Sequence, residues 1–487
     1  MRNFWRRRGL RFPSLLELCT LAAVLLVGRA GAEEGYLQLR GALGVPSAFS
    51  RGGESIEEIA RMAVAQKIDV LVMGDDYLLR VDYGMPFLRK LVHFGHERRS
   101  LVTAADLENY LDEIRRVDEL FPELVLIDGI AATPFYFWNT DWGQRRLNLH
   151  GWDRRLVVVG LGKAEGYARL PVMGSAELEV WNWTGLLAAW PLLGLLYGWV
   201  ARRRHPTGLR YGIVVISAVC LVGNFPFKVA LWDAHSGRLG VAPHQHFIDS
   251  QSRTGGMVFW LPPGMEPVPE GMAGLDGRVE IIPRPSRRSG EIAHTYGYTG
   301  FAALRGGERI AVEAKGEWDR ALGQFLRGER SGPVWGMGYV GPDGAEGQAE
   351  AARTIFLVRE RSREGVLEAM RSGGMYAVRD GEERLVLDRF QVETEFELAE
   401  AGEEVLGRDR PRVSAQISSA SGGEGAIRVE LIRSGEVVAR VSGKTPLELN
   451  HIGTAVRPGA KEYYRLLVNG GGGELVSNPI FVTGGEL

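Results

Sequence analysis

Gly41-Ala42-Leu43-Gly44-Val45-Pro46-Ser47, then Ser55-Ile56-Glu57-Glu58-Ile59-Ala60, then Ile68-Asp69-Val70-Leu71-Val72-Met73-Gly74-Asp75-Asp76: these three stretches decide the fold class. The first ends a segment that starts at Tyr36 and reads as a strand. In the second, Ser55 stands three residues before Glu58, the reciprocal pairing of a capping box, and Ala63 and Val64 extend its helical spacing. The third is a continuous apolar run, as in a strand covered on both faces of a parallel sheet. Alternating strands and helices of this kind predict an α/β fold.

The alternation continues outward. Thr103 is placed to cap a helix with Leu107, Leu111, Ile114 and Val117 on one side, and residues 124–130 and 156–161 read as buried strands. Helices are expected over 246–253, 318–327 and 362–371, and strands over 256–261, 334–339 and 354–358. Residues 33–182 and 232–387 are each too incomplete to close a barrel, and together they suffice, so they read as one α/β barrel interrupted by residues 183–231. From about Leu387 the apolar period changes to two, with Gly- and Ser-rich turns, which predicts an antiparallel β-sandwich over 388–487.

The interruption consists of two apolar runs, 183–200 and 211–231, each long enough for a bilayer core of ~30 Å. The ten residues between them, 201–210, include Arg202, Arg203, Arg204 and Arg210, and short Arg-rich loops stay cytoplasmic. A two-helix transmembrane hairpin is the expectation, with Trp181, Trp183, Trp199, Tyr211 and Trp232 near its ends as interfacial aromatics. Residues 1–32 begin with Arg6-Arg7-Arg8, continue through an apolar stretch and end at Ala30-Gly31-Ala32, the layout of a signal peptide; an uncleaved N-terminal anchor is the alternative. This topology puts both soluble parts on the extracytoplasmic side, with the membrane as one partner.

A formal net charge of -2 over 487 residues argues against nucleic acid as a partner. Only two Cys are present, Cys19 in the leader and Cys220 in the second apolar run, so no disulfide supports the soluble part. Nine His are enough for a metal centre, which makes their positions the deciding matter.

At these positions the chain resembles the PHP (polymerase and histidinol phosphatase) superfamily, whose fold is a distorted TIM-type barrel. Gly41 to Ser50, the capped helix at Ser55 and the strand ending Gly74-Asp75-Asp76 are similar to that family's L-H-x-H-S segment, capped helix and T-D-H strand. Ile127-Asp128-Gly129-Ile130-Ala131 resembles its G-x-E strand, Gly255 to Pro263 its G-G-x-x-x-x-A-H-P strand, and Pro333 to Asp343 its D-x-H strand. The resemblance implies metal-assisted phosphoester hydrolysis on His, Asp and Glu ligands at strand ends. Carried over residue by residue, the ligands fall on Gly44, Pro46, Asp76, Ala131, Pro262, Gly341 and Asp343, with Asp75 retained. Gly, Pro and Ala cannot coordinate a metal, so the resemblance implies a pseudoenzyme with no catalytic, cofactor or metal residues and a binding or structural role.

The alternative is a metal-dependent phosphoesterase with a relocated acidic site, in which Asp75, Asp76, Asp343 and His150 hold a divalent metal. Solvated carboxylates at strand ends are the plainer reading of the same acids, and of Asp128. His244 and His246 stand two apart at a helix start and point apart; His93 and His96 read as a surface pair at a helix end. Trp260, Trp335 and Tyr339 are candidates for ligand contact at the barrel mouth. The sequence points to an unidentified envelope protein or ligand as the further partner.

Overall fold

The structure, a computed structural model, describes residues 36–84, 93–97, 100–141, 146–181, 189–200, 207–224, 229–262, 280–286, 290–341, 351–381, 384–471 and 473–485. The first strand, β1 (Leu37–Val45), lies parallel to β2 (Val70–Met73). Helix α1 (Ile56–Ala65) connects them and starts on the expected capping box: the Glu58 amide donates to Ser55 Oγ at 3.3 Å, and the Ser55 amide donates to Glu58 Oε2 at 2.8 Å. Its buried Ile56, Ile59, Ala60 and Ala63 join the same core as the two strands.

Two strands of the wall are each interrupted by one residue. Past Gly74, β2 resumes as β3 (Asp75–Asp76), and β4 (Val125–Ile127) resumes past Asp128 as β5 (Gly129–Ala132). β2 pairs in parallel with β4, and β3 with β5. The helix before β4, α2 (Ala104–Leu120), has the expected N-cap, Thr103, completed by Asp106, and buries Leu107, Tyr110, Leu111, Ile114 and Val117. β6 (Leu156–Val159) runs antiparallel both to β5 and to β7 (Met257–Trp260), so hydrogen bonds join the two expected barrel parts directly across the insertion. β8 (Gly300–Arg305) and β9 (Trp335–Gly338) follow in parallel, and β10 (Ala352–Val358) returns antiparallel beside β1. The wall closes where the Val340 amide donates to the Leu43 carbonyl at 3.1 Å and the Gly338 amide to Thr354 Oγ1 at 3.0 Å. The end at which β1, β3 and β5 finish is called the mouth below.

At the mouth the chain leaves the wall repeatedly. Arg80–Gly84 pairs with His93–Glu97, and Phe137–Asp141 pairs with Arg146–His150, which also carries Glu280–Arg284. The segment holding His93 and His96 is therefore a strand and not the expected helix end. Alternating apolar residues bury Val81, Tyr83, Trp138, Leu147, Leu149 and Trp152 in a cluster separate from the barrel core, and together they form a cap.

The insertion contains two packed helices, α3 (Pro191–Val200) and α4 (Thr207–Asn224). Gly194 and Gly198 bring them together, since a Cβ at Gly194 would overlap Ser217 and one at Gly198 would overlap Val214. A short ladder of Glu179–Val180 with Val229–Ala230 ties off the pair at its base. The expected transmembrane hairpin is not supported by these helices, which are shorter than the apolar runs: ten residues rise about 15 Å and eighteen about 27 Å, against a bilayer core of ~30 Å. Among the described residues, no helix is both long and apolar enough to cross a membrane. The targeting segment 1–32 with Cys19, the loop 201–206 and Asp343 lie outside the described residues.

The remaining helices, α5 (Ala242–Thr254), α6 (Glu317–Leu326) and α7 (Arg363–Ser372), cover the barrel. The sandwich grows out of the barrel sheet. β11 (Met375–Arg379) pairs with β10 on one side and with Gly473–Ser477 on the other, which continues to Lys461–Gly470 and Ile480–Gly484. The second sheet begins at Leu385, two residues before the expected change of period, as Leu385–Glu393 paired with Arg412–Ser419 and then Leu447–Ile452. Two buried polar residues lock the halves together. The Arg465 guanidinium donates to Asp319 at 2.9 Å and stacks on Trp318, while the Asn478 side chain bonds the Gly336 amide and the Gly336 and Met375 carbonyls.

Candidate functional site

Asp75 and Asp76 sit side by side at the mouth, both fully buried. Successive residues of a strand point to opposite faces, so adjacent carboxylates acquire different surroundings. Asp75 is held by the loop that follows β1: Oδ1 accepts from the Ser47 amide at 2.8 Å, from Ser47 Oγ at 3.0 Å and from Ser50 Oγ at 2.7 Å. Burial nevertheless dominates and pushes its pKa up to about 6, against the lowering effect of these donors.

Asp76 faces two guanidiniums. Arg155, immediately before β6, forms an ion pair with Oδ1, and Arg51 Nε lies 3.2 Å from Oδ2. The Asp76 side chain is 0% exposed, with Arg155 at 5% and Arg51 at 9%, so the group is a buried two-arginine clamp on one carboxylate. Loop 46–52 supplies Ser47 and Ser50 to Asp75 and Arg51 to Asp76, and thereby ties both acids to the end of β1.

The space over Gly44, at the end of β1, is filled by Tyr339. Gly44 has φ +80, a left-handed conformation suited to glycine, and a Cβ there would overlap the Tyr339 ring; a Cβ at Gly341 would come to 3.0 Å of the same ring. The Tyr339 ring thus lies directly over Gly44. Gly74 is equally constrained, because a Cβ there would come to 2.6 Å of the Gly44 backbone.

The other sequence candidates disperse. His150 stacks on Phe137 in the cap with ring centroids 4.8 Å apart, and burial with nearby Arg284 lowers its pKa. Among the described residues, no three His, Cys, Asp or Glu gather as a metal-binding group, so His150 does not join Asp75 and Asp76. Asp128 is buried, accepts from Tyr167 at 2.5 Å and from the Gly162 amide at 3.0 Å, and pairs with Arg363. Solvated carboxylates, the plain expectation for Asp75, Asp76 and Asp128, are thereby corrected, since all three are desolvated and bonded. His244 and His246 do point apart on α5, one buried and one exposed. Trp335 stands at the start of β9, away from the mouth, and donates to the Arg371 carbonyl. Trp260 ends β7 at the mouth but turns outward, donating to Thr295 and lying 5.1 Å from the His244 ring. Of the three aromatics, Tyr339 is the one that lies against Gly44 at the end of β1. Beside Trp260 a cavity of about 50 Å³ is lined by Asp153, Arg154, Ser286 and Glu291.

Sequence reading missed Arg51 and Arg155. Arg154-Arg155 directly before an apolar strand was an available signal for a buried cation. Nothing in the sequence pairs it with an acid 79 residues away.

No family model matches the chain, and no curated relative matches it. Among solved structures, the chain is similar to a two-domain protein containing a predicted PHP-like metal-dependent phosphoesterase from Bacteroides vulgatus. The identity is 10%, over 88% of this chain and 91% of that one, with a TM-score of 0.32. It is similar as well to a protein designated a metal-dependent phosphoesterase from Bifidobacterium adolescentis, at 13% identity over 61% and 85% of the two chains, with a TM-score of 0.24. The chain itself is a mixed α/β protein with several sheets.

Proposed function

We propose that this protein is a membrane-anchored, envelope-facing barrel of PHP type that acts as a metal-free pseudoenzyme, with a binding or structural role for an unidentified envelope protein or ligand. The observation that carries the reading is the clamp on Asp76. Metal-assisted hydrolysis needs a divalent cation to activate water and hold phosphate oxygens. Here the carboxylate at the corresponding strand end is already neutralised by Arg51 and Arg155. Guanidiniums do not deprotonate in proteins, and a metal at Asp76 would stand within a few Å of both in a buried site, where like charges repel strongly. The ring of Tyr339 over Gly44 supports the same reading.

Support for anchoring comes from the insertion. Leu192, Leu193, Leu196, Trp199, Val215 and Ile216 are exposed on α3 and α4, an apolar surface that water disfavours. The Arg-rich sequence between the helices supports a cytoplasmic loop and an outward-facing barrel.

Metal analysis of the full-length protein, purified in detergent without chelators, tests the pseudoenzyme reading. The expected result is no stoichiometric Mn, Fe or Zn and no phosphoesterase activity when these metals are added. Stoichiometric metal that is lost in Asp76→Ala overturns it and favours the second reading, a divalent-metal phosphoesterase using Asp75, Asp76 and Asp343.

A further inference from the structure

We infer that the barrel mouth faces the lipid bilayer, with the cap lying between the clamp and the membrane surface. The inference rests on the anchoring reading above and adds an orientation to it. Its basis is where the apolar helices are rooted. The insertion departs after β6 and returns before β7, and both of those chain ends lie at the closed end of the barrel, opposite the mouth. The helices nevertheless do not emerge there.

Instead the chain climbs the outside of the barrel. The Tyr77 hydroxyl donates to the Ala168 carbonyl at 3.1 Å, and the Met173 amide to the Pro134 carbonyl at 3.2 Å, which fixes residues 168–173 beside the mouth-side excursions. Leu178 then enters the cap cluster with Tyr83, Trp138 and Trp152, directly before the ladder at the base of α3 and α4. The returning chain is held the same way. Trp232 and Ala234 pack on that cluster, the Trp138 amide donates to the Ala234 carbonyl at 2.7 Å, and His235 Nε2 lies 3.0 Å from the Gly84 carbonyl. α5 finally descends to β7. Both strands of the base are therefore built into the cap, and the apolar pair projects from the mouth end.

Charge supports a lipid surface as the occupant. Arg210 stacks on Tyr211 at 5.0 Å, the arrangement of an interfacial cation and ring at a helix end. A ligand reaching the clamp would approach through the headgroup layer.

Energy transfer to a headgroup-labelled lipid tests the orientation. The full-length chain with Cys19→Ser and Cys220→Ser receives one donor label, either at Asn139→Cys in the cap or at Glu123→Cys at the closed end. Both sites are exposed. Each protein is reconstituted into phosphatidylcholine–phosphatidylglycerol vesicles and recovered by flotation. The nine residues of β1 alone extend about 30 Å along the barrel, enough to separate the two labels. The expected result is transfer from Asn139→Cys at least twofold more efficient than from Glu123→Cys. Equal or reversed efficiencies in floated protein overturn the orientation and leave anchoring intact. Failure to float overturns the anchoring reading and this inference together.

Discussion

Replacing Arg155 by Met isolates the contribution of the clamp. Arg155→Met removes one of the two cations from Asp76 while keeping much of the apolar stem. The Asp76 carboxylate has no exposed surface, so water cannot replace the lost partner. Breaking a buried ion pair typically costs about 3–5 kcal/mol, most of it the cost of an uncompensated buried charge. Arg51 remains 3.2 Å from the other oxygen and retains part of the compensation, which places the expected loss at about 3 kcal/mol, the low end of that range. Asp76→Asn alone should cost a similar amount, because it leaves two guanidiniums facing a neutral amide. The double variant should lose less than the sum of the singles, by an interaction energy of at least about 1.5 kcal/mol, as expected for residues in direct contact. Urea unfolding of the full-length chain, followed by tryptophan fluorescence, measures all four corners of the cycle. An interaction energy within about 0.5 kcal/mol of zero would refute the argument, since independent sites add to that accuracy. Asp76 would then be neutralised by something other than Arg155, and a metal at the mouth would regain its standing.

Two further outcomes follow from the same site. Asp75 has a folded-state pKa of about 6 against 3.8 for an unperturbed group, so the folded chain holds this proton more tightly than the unfolded chain does. Its contribution to stability is therefore greatest below pH 3.8 and is lost as pH rises through about 6. The loss amounts to about 3 kcal/mol, since each tenfold change in proton affinity is worth ~1.4 kcal/mol. Asp75→Asn should flatten the change in unfolding free energy between about pH 4.5 and 7.5 relative to the parent, and parallel profiles would count against the assigned burial effect. Gly44→Ala should destabilise by about 2–4 kcal/mol, combining a left-handed backbone conformation with overlap on Tyr339. Tyr339→Leu in the same chain should restore part of that loss, and a Gly44→Ala protein as stable as its parent would show that the ring does not occupy the site.

The α/β alternation was legible in sequence wherever a local pattern encodes local structure. The capping boxes at Ser55 and Thr103 start helices where expected, because the cap is a contact between residues three apart. The apolar runs at 70–73, 125–127 and 156–159 are buried strands, because a strand covered on both faces has no polar side to display. Five short strands of the cap were not anticipated. Their alternation is brief and rich in polar and aromatic residues, and it becomes a sheet only when strands from 137–150 and 280–284 meet. The length of the helices in the insertion was also not legible: hydropathy marks which residues are apolar, whereas the paired strands at 179–180 and 229–230 set where the helical pair is rooted.

Composition and order along the chain were enough to establish an α/β alternation, its interruption by an apolar segment and a change to period two near the C-terminus. Those are properties of residue identity and spacing, which tertiary contacts do not alter. Only the folded chain decided what surrounds Asp76. Asp76 meets Arg155 and Arg51 because β3, β5 and β6 are hydrogen-bonded neighbours and the loop after β1 folds over their ends, bringing together groups that sequence separates by up to 104 residues. Charge neutralisation in a buried site depends on distances of a few Å, and those distances exist only once the wall has closed.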